Sequence, residues 1–111
     1  MNAAETIAAA IQKLEALKAD ATPGVWEFDP EPFGAIFTQQ EPGLEVETEV
    51  AEQMLDADGR LIVTLHRTID AQLAILRTAG REFERRAENG DARVFPYDYH
   101  LDLARSILGE S

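Results

Sequence analysis

Two histidines, 21 carboxylates and no cysteine bound the chemistry open to this chain. His66 and Asp70 stand four residues apart, a spacing that places two metal ligands on one helix turn. Two ligands leave a coordination sphere open, and a third would have to come from His100 or Asp102. A histidine beside an apolar stripe is more often an ordinary boundary residue, so no metal and no cofactor is assigned. Asp56-Ala-Asp58-Gly59 has the opening of a calcium loop, but the twelfth position from Asp56 is Arg67 where that loop needs glutamate. Carboxylates are plentiful, yet no pair sits in an apolar setting that would push two pKa values apart. No serine stands in a nucleophile elbow, and the seven glycines form neither a P-loop nor a dinucleotide fingerprint. Without cysteine there is no thiolate catalysis, no zinc–thiolate site and no disulfide. The expectation is a protein that is not an enzyme.

Recognition has more to work with. Leu44 to Val50 alternates strictly, so Leu44, Val46, Thr48 and Val50 face one way and Glu45, Glu47 and Glu49 the other. Along one strand face those carboxylates repeat about every 6.6–7 Å, close to the spacing of phosphates along a DNA strand. The row suits a basic protein partner, or imitation of nucleic acid; its plainer role is a solvated edge that keeps other chains from pairing. The net charge of −11 falls wholly within residues 1–58, where Lys13 and Lys18 are the basic residues, whereas residues 59–111 balance eight arginines against eight acids. So acidic a half repels nucleic acid directly and can attract a basic surface. Arg77, Arg81, Arg85 and Arg86 make a ridge that can pair with itself, Arg81 with Glu84 or Arg85 with Glu82. Trp26, Phe28, Phe33 and Phe37 either anchor a sheet to helices or, with the ridge, serve a small anionic ligand.

These residues need elements to hold them. Ile7, Ala10 or Ile11, Leu14 and Leu17 give Ala3 to Ala19 a helical stripe, and Asp20-Ala-Thr-Pro-Gly24 ends it. Val25 to Phe28, Phe33 to Thr38 and Leu44 to Val50 read as three strands, with a turn at Glu41-Pro-Gly43. A long helix begins near Met54 or Asp56, capped by Asp56 or Asp58. Ile62, Leu65, Ile69, Leu73, Leu76 and Phe83 form its seam, at steps near 3.5 residues. Unbroken from 57 to 88 it would be about 48 Å long, against about 34 Å for the diameter of a compact chain this size. Either a break at Ala79-Gly80 or a homodimer through the seam resolves the overhang, and the dimer is preferred. Glu88-Asn-Gly-Asp91 is a turn, Val94-Phe95-Pro96 an extended linker, and Asp98 to Leu108 a closing helix stopped by Gly109. The sum is an α+β fold in one domain, residues 1–111: a small antiparallel sheet of about three strands packed with two long amphipathic helices and a short C-terminal one. No apolar run reaches the roughly 18 residues of a membrane span and Met1 to Ala10 lacks the features of a secretory signal, so a cytoplasmic protein is expected.

Three stretches carry a resemblance. Asp20-Ala-Thr-Pro-Gly-Val-Trp26 resembles the ATPGPW turn after the first helix of many small actinobacterial phage and prophage proteins. Asp56 to Leu76 resembles their DA-x-LIV-x-L helix, and His100 to Gly109 their closing LA-x-A-I-x-G helix. Val25 stands where that turn has proline, and Ser106 where the last motif has alanine. The resemblance covers the two ends and the long helix and misses most of the sheet. It implies a phage accessory protein acting on an unidentified host protein in the bacterial cytoplasm, and supplies no catalytic residue.

Overall fold

The computed structural model of the chain describes residues 1–39, 47–91 and 95–110, with the backbone alone at 39, 47 and 48. Among these residues the order is α1 (Ala3–Asp20), β1 (Trp26–Asp29), β2 (Ala35–Gln39), β3 (Glu47–Ala51), α2 (Asp56–Arg67), α3 (Ile69–Glu88) and α4 (Asp98–Leu108). The α+β class expected from the periodicities is the one observed. Residues 1–111, expected as one domain, are organised as two compact units: Lys18–Ile69, and Met1–Leu17 together with Asp70–Ser111. The turn at Glu41-Pro-Gly43, the strand start Leu44 to Val46, and Val94 lie outside the described residues.

In the unit Lys18–Ile69 the strands form an antiparallel sheet in the order β1-β2-β3. Trp26 lies opposite Thr38 and Phe28 opposite Ile36, while Phe37 faces Glu27 on one side and Glu49 on the other. Period-two alternation therefore gives the sheet two unlike faces. Trp26, Phe28, Ile36 and Thr38 share the face on which α2 packs, and Ile36 and Thr38 are fully buried there. Thr38 satisfies its hydroxyl by donating to the Pro23 carbonyl at 3.2 Å. The strict alternation read along the third strand fails at its end. Ile36 pairs with Ala51 but Phe37 with Glu49, so Val50 is an extra residue in a bulge. Gly34, at φ +70°, enters β2 beside the Met54 backbone: the Met54 amide donates to the Gly34 carbonyl at 2.9 Å, and an added Cβ would lie 2.1 Å from the Met54 oxygen. Only glycine fits that approach.

The other unit is helical. Ile7 and Ala10 of α1, Leu76 and Ala79 of α3, Phe95, and Ala104 of α4 form one buried cluster, with Ile11, Phe83 and Leu101 packed around it. Asn2 caps α1, its side-chain oxygen accepting from the Glu5 amide at 2.8 Å. Leu14 is buried as the stripe requires, but Leu17 is exposed. At the end of α3, Gly90 at φ +74° lets the Asp91 amide reach the Arg86 carbonyl at 2.8 Å, which is the turn expected at Glu88-Asn-Gly-Asp91. Gly109 stops α4 at the expected residue.

The long helix departs most from expectation. It is interrupted at Thr68 and runs straight through Ala79-Gly80. The Thr68 amide donates to the Leu65 carbonyl at 3.0 Å, and its hydroxyl donates to the same oxygen at 2.7 Å. Both donors draw the chain onto an i−3 carbonyl, tightening the last turn of α2 and ending it. Nor do Asp56 and Asp58 cap α2. Leu55 holds the cap position, and both carboxylates lie inside the first turn, where they still oppose the positive end of the helix dipole.

This division splits the expected oligomer seam. Leu73 and Leu76 of α3 are 1 % and 0 % exposed, covered by the chain itself, so they present no surface to a second copy. Ile69 is half-buried. Ile62 and Leu65 of α2 remain outward, 37 % and 53 % exposed.

Candidate functional site

The sheet face turned away from α2 is the polar one. Glu27 and Asp29 of β1 and Glu49 of β3 are all exposed on it, and the half-buried Phe37 of β2 lies between Glu27 and Glu49 in the ladder. Neighbouring strands are about 4.8 Å apart, so the two glutamate backbones flank the phenylalanine at about 10 Å from each other. Glu49 also faces Glu52 beyond the bulge, and the neighbouring charge, with a hydrogen bond between the two side chains, raises the Glu49 pKa above the ordinary carboxylate value. Bringing like charges together opposes their joint ionisation, and a cation placed beside them relieves it. Of the three glutamates Glu45, Glu47 and Glu49, Glu49 is the one whose side chain is described, exposed on this face. Glu47 belongs to β3 with its side chain outside the described residues, and Glu45 lies outside them altogether.

The aromatic residues divide between the faces and do not line one groove. Trp26 lies flat on His66, ring centres 3.7 Å apart and planes within 2°, with its indole N–H donating to the Thr22 carbonyl. Phe28 sits against the backbone of Gly59, where an added Cβ would fall 2.2 Å from the ring, and the Arg60 guanidinium is 5.8 Å from its centre. These two rings anchor the sheet to α2, the role anticipated for them. Phe33 precedes β2 and is 70 % exposed. Gly59 is a buried helical residue that seats an aromatic ring.

The arginine ridge is largely self-paired. Arg85 makes two bonds to Glu82, and Arg86 Nε donates to the same carboxylate at 3.0 Å. Those bonds, Arg85's the stronger, hold the Glu82 carboxyl down to about 2. Arg77 reaches Glu15 of α1 at 2.6 Å. Of the two pairings the spacing allows, Arg85 with Glu82 is the one made, and Arg81 donates instead to the Thr78 hydroxyl at 3.5 Å.

A cluster that the sequence reading missed gathers at the start of α4. Tyr99 and His100 approach to 4.3 Å between ring centres, Phe95 packs edge-on to His100, and Arg86 lies 4.8 Å from the Phe95 ring. His100 Nδ1 accepts from the Tyr97 amide at 3.2 Å, so the neutral ring carries its proton on Nε2. Burial lowers the His100 pKa. Among the described residues no group of three His, Asp or Glu side chains is arranged to hold a metal ion, and no helix is long and apolar enough to cross a membrane. No family model, no curated protein and no solved structure matches the chain.

Proposed function

We propose that this chain is a non-enzymatic binding protein, of the small phage or prophage accessory kind its turn and helix motifs resemble, that engages a basic host protein in the bacterial cytoplasm. The observation that carries the reading is the polar sheet face. An arginine or lysine of the partner laid over Phe37 meets an aromatic ring between two carboxylates, an arrangement that attracts cations by charge and by the ring quadrupole. The placement of the whole net charge in residues 1–58 adds long-range attraction. The test is capture from actinobacterial lysate with the tagged chain beside a Glu45→Gln, Glu47→Gln, Glu49→Gln variant. A host protein retained by the parent, lost from the variant and released by salt supports the proposal. Equal retention by both chains removes it.

A second reading, an assembly protein acting as a homodimer, has its own observation. Leu61 and Leu65 remain exposed on α2, one turn apart on the side away from the buried Gly59 and Val63, with the exposed Ile62 beside them. Sedimentation of the parent and of a Leu61→Asp, Leu65→Asp variant decides it: a dimer that the variant dissociates supports assembly, and a monomeric parent rejects it.

A further inference from the structure

We propose that the cleft between α1 and α3 binds an apolar α-amino acid, its side chain on the cleft floor, its carboxylate at Arg81 and its ammonium at Glu84. The cleft has a volume of about 220 Å³, and its apolar lining is Ala4, Ile7, Ala8, Ile11 and Gly80. That is below the roughly 300–1,000 Å³ of sites for drug-sized ligands, so its occupant is small.

Gly80 is the first reason to regard the cleft as a site. It lies in the interior of α3, where glycine weakens a helix relative to alanine. Nothing in the packing demands it. A Cβ there would meet only Ile7 Cγ2, at the ordinary contact distance of 3.7 Å, and the backbone does not take a positive φ. What the missing side chain does is keep the cleft open between the two helices.

The rim is the second reason, because it selects the ligand's chemistry. Arg77 is neutralised by Glu15. Arg81 and Glu84 both line the cleft, and among the described residues neither makes an ion pair, with the other or with a third residue. A plain carboxylate would be attracted by Arg81 and repelled by Glu84, and a plain amine the reverse. A zwitterion with an apolar side chain satisfies both charges and the floor together.

The experiment is a two-dimensional amide NMR titration of the full chain with L-leucine, 4-methylpentanoate (leucine without its ammonium) and isoamylamine (leucine without its carboxylate). Expected are shifts at Ile7, Ile11, Gly80 and Arg81, with each truncated analogue binding about tenfold more weakly or worse, the size of one lost charged hydrogen bond. Arg81→Gln and Glu84→Gln should each weaken L-leucine by a similar factor, and Gly80→Ile should abolish binding. Gly80→Ala reports on the fold, and its melting temperature should rise by about 4 °C. Absence of shifts at those amides with L-leucine at about 10 mM, far above a millimolar dissociation constant's half-saturation, overturns the proposal. So does 4-methylpentanoate binding as tightly as leucine, or unchanged binding in Gly80→Ile.

Discussion

Replacing Gly34 by alanine tests a close backbone approach in the sheet-bearing unit. The new Cβ would fall 2.1 Å from the Met54 carbonyl oxygen, with the Met54 carbon and nitrogen at 3.2 and 3.3 Å. A carbon–oxygen contact of that kind normally lies at about 3.3 Å or more, so the two backbones must separate by roughly 1 Å. Both partners are main chain, and no rotamer change relieves the clash. Holding alanine at φ +70° costs about 1–2 kcal/mol. Separation also weakens the Met54-to-Gly34 hydrogen bond, worth about 0.5–1.5 kcal/mol, and a buried carbonyl left unpaired adds about 1 kcal/mol more. Alanine's stiffer unfolded chain returns about 0.5 kcal/mol. The net loss is about 2–4 kcal/mol, a midpoint lower by about 2 M or more in urea at a slope near 1 kcal/mol/M. Trp26, the one tryptophan, belongs to the same unit as Gly34 and reports its unfolding by fluorescence. Gly90→Ala is the control, since φ there is +74° and a Cβ would meet nothing within 4 Å. Followed by circular dichroism, it should lose only the conformational part, about 1 kcal/mol. Losses equal within about 0.5 kcal/mol would refute the argument, because the Met54 approach would then carry no energy beyond the dihedral.

Gly59→Ala should gain about 1 kcal/mol of helix propensity and lose about 1–3 kcal/mol by displacing the Phe28 ring, a net loss that Phe28→Leu in the same chain reduces in a double-mutant urea cycle. Glu82 is held near 2 against an ordinary 4.5, so its contribution to stability is complete above 4.5 and declines as pH falls toward 2; Glu82→Gln should flatten the urea midpoint across that window, most clearly at low salt. His100 has its pKa lowered from 6.5 by burial, so the unfolded chain binds its proton more readily and stability falls as pH drops below about 6.5. His100→Gln should remove that slope between about pH 7 and 5 in thermal melts.

Much of this architecture was readable from local pattern. The bounds of α1 and α4 follow from apolar stripes closed by a proline–glycine turn and by Gly109, and each signal acts within a few residues of itself. The turn at Gly90 was equally local, as was the polar face carrying Glu49. The seam of the long helix was legible as apolar periodicity, but periodicity records that a face must be covered and not what covers it. Tertiary packing decided that. Leu73 and Leu76 are buried by the chain, while Leu65 stays outward beyond a break made by the hydroxyl and amide of Thr68 on one carbonyl. Gly59 and Gly80 show the same division. In sequence both are merely weak points of a helix, one suggesting a metal loop and the other a break. Only the approach of Phe28 to the first and of α1 to the second shows that one glycine seats a ring and the other opens a cleft. The physical reason is that an absent side chain is defined by what comes to lie beside it, and that neighbour arrives from another part of the chain.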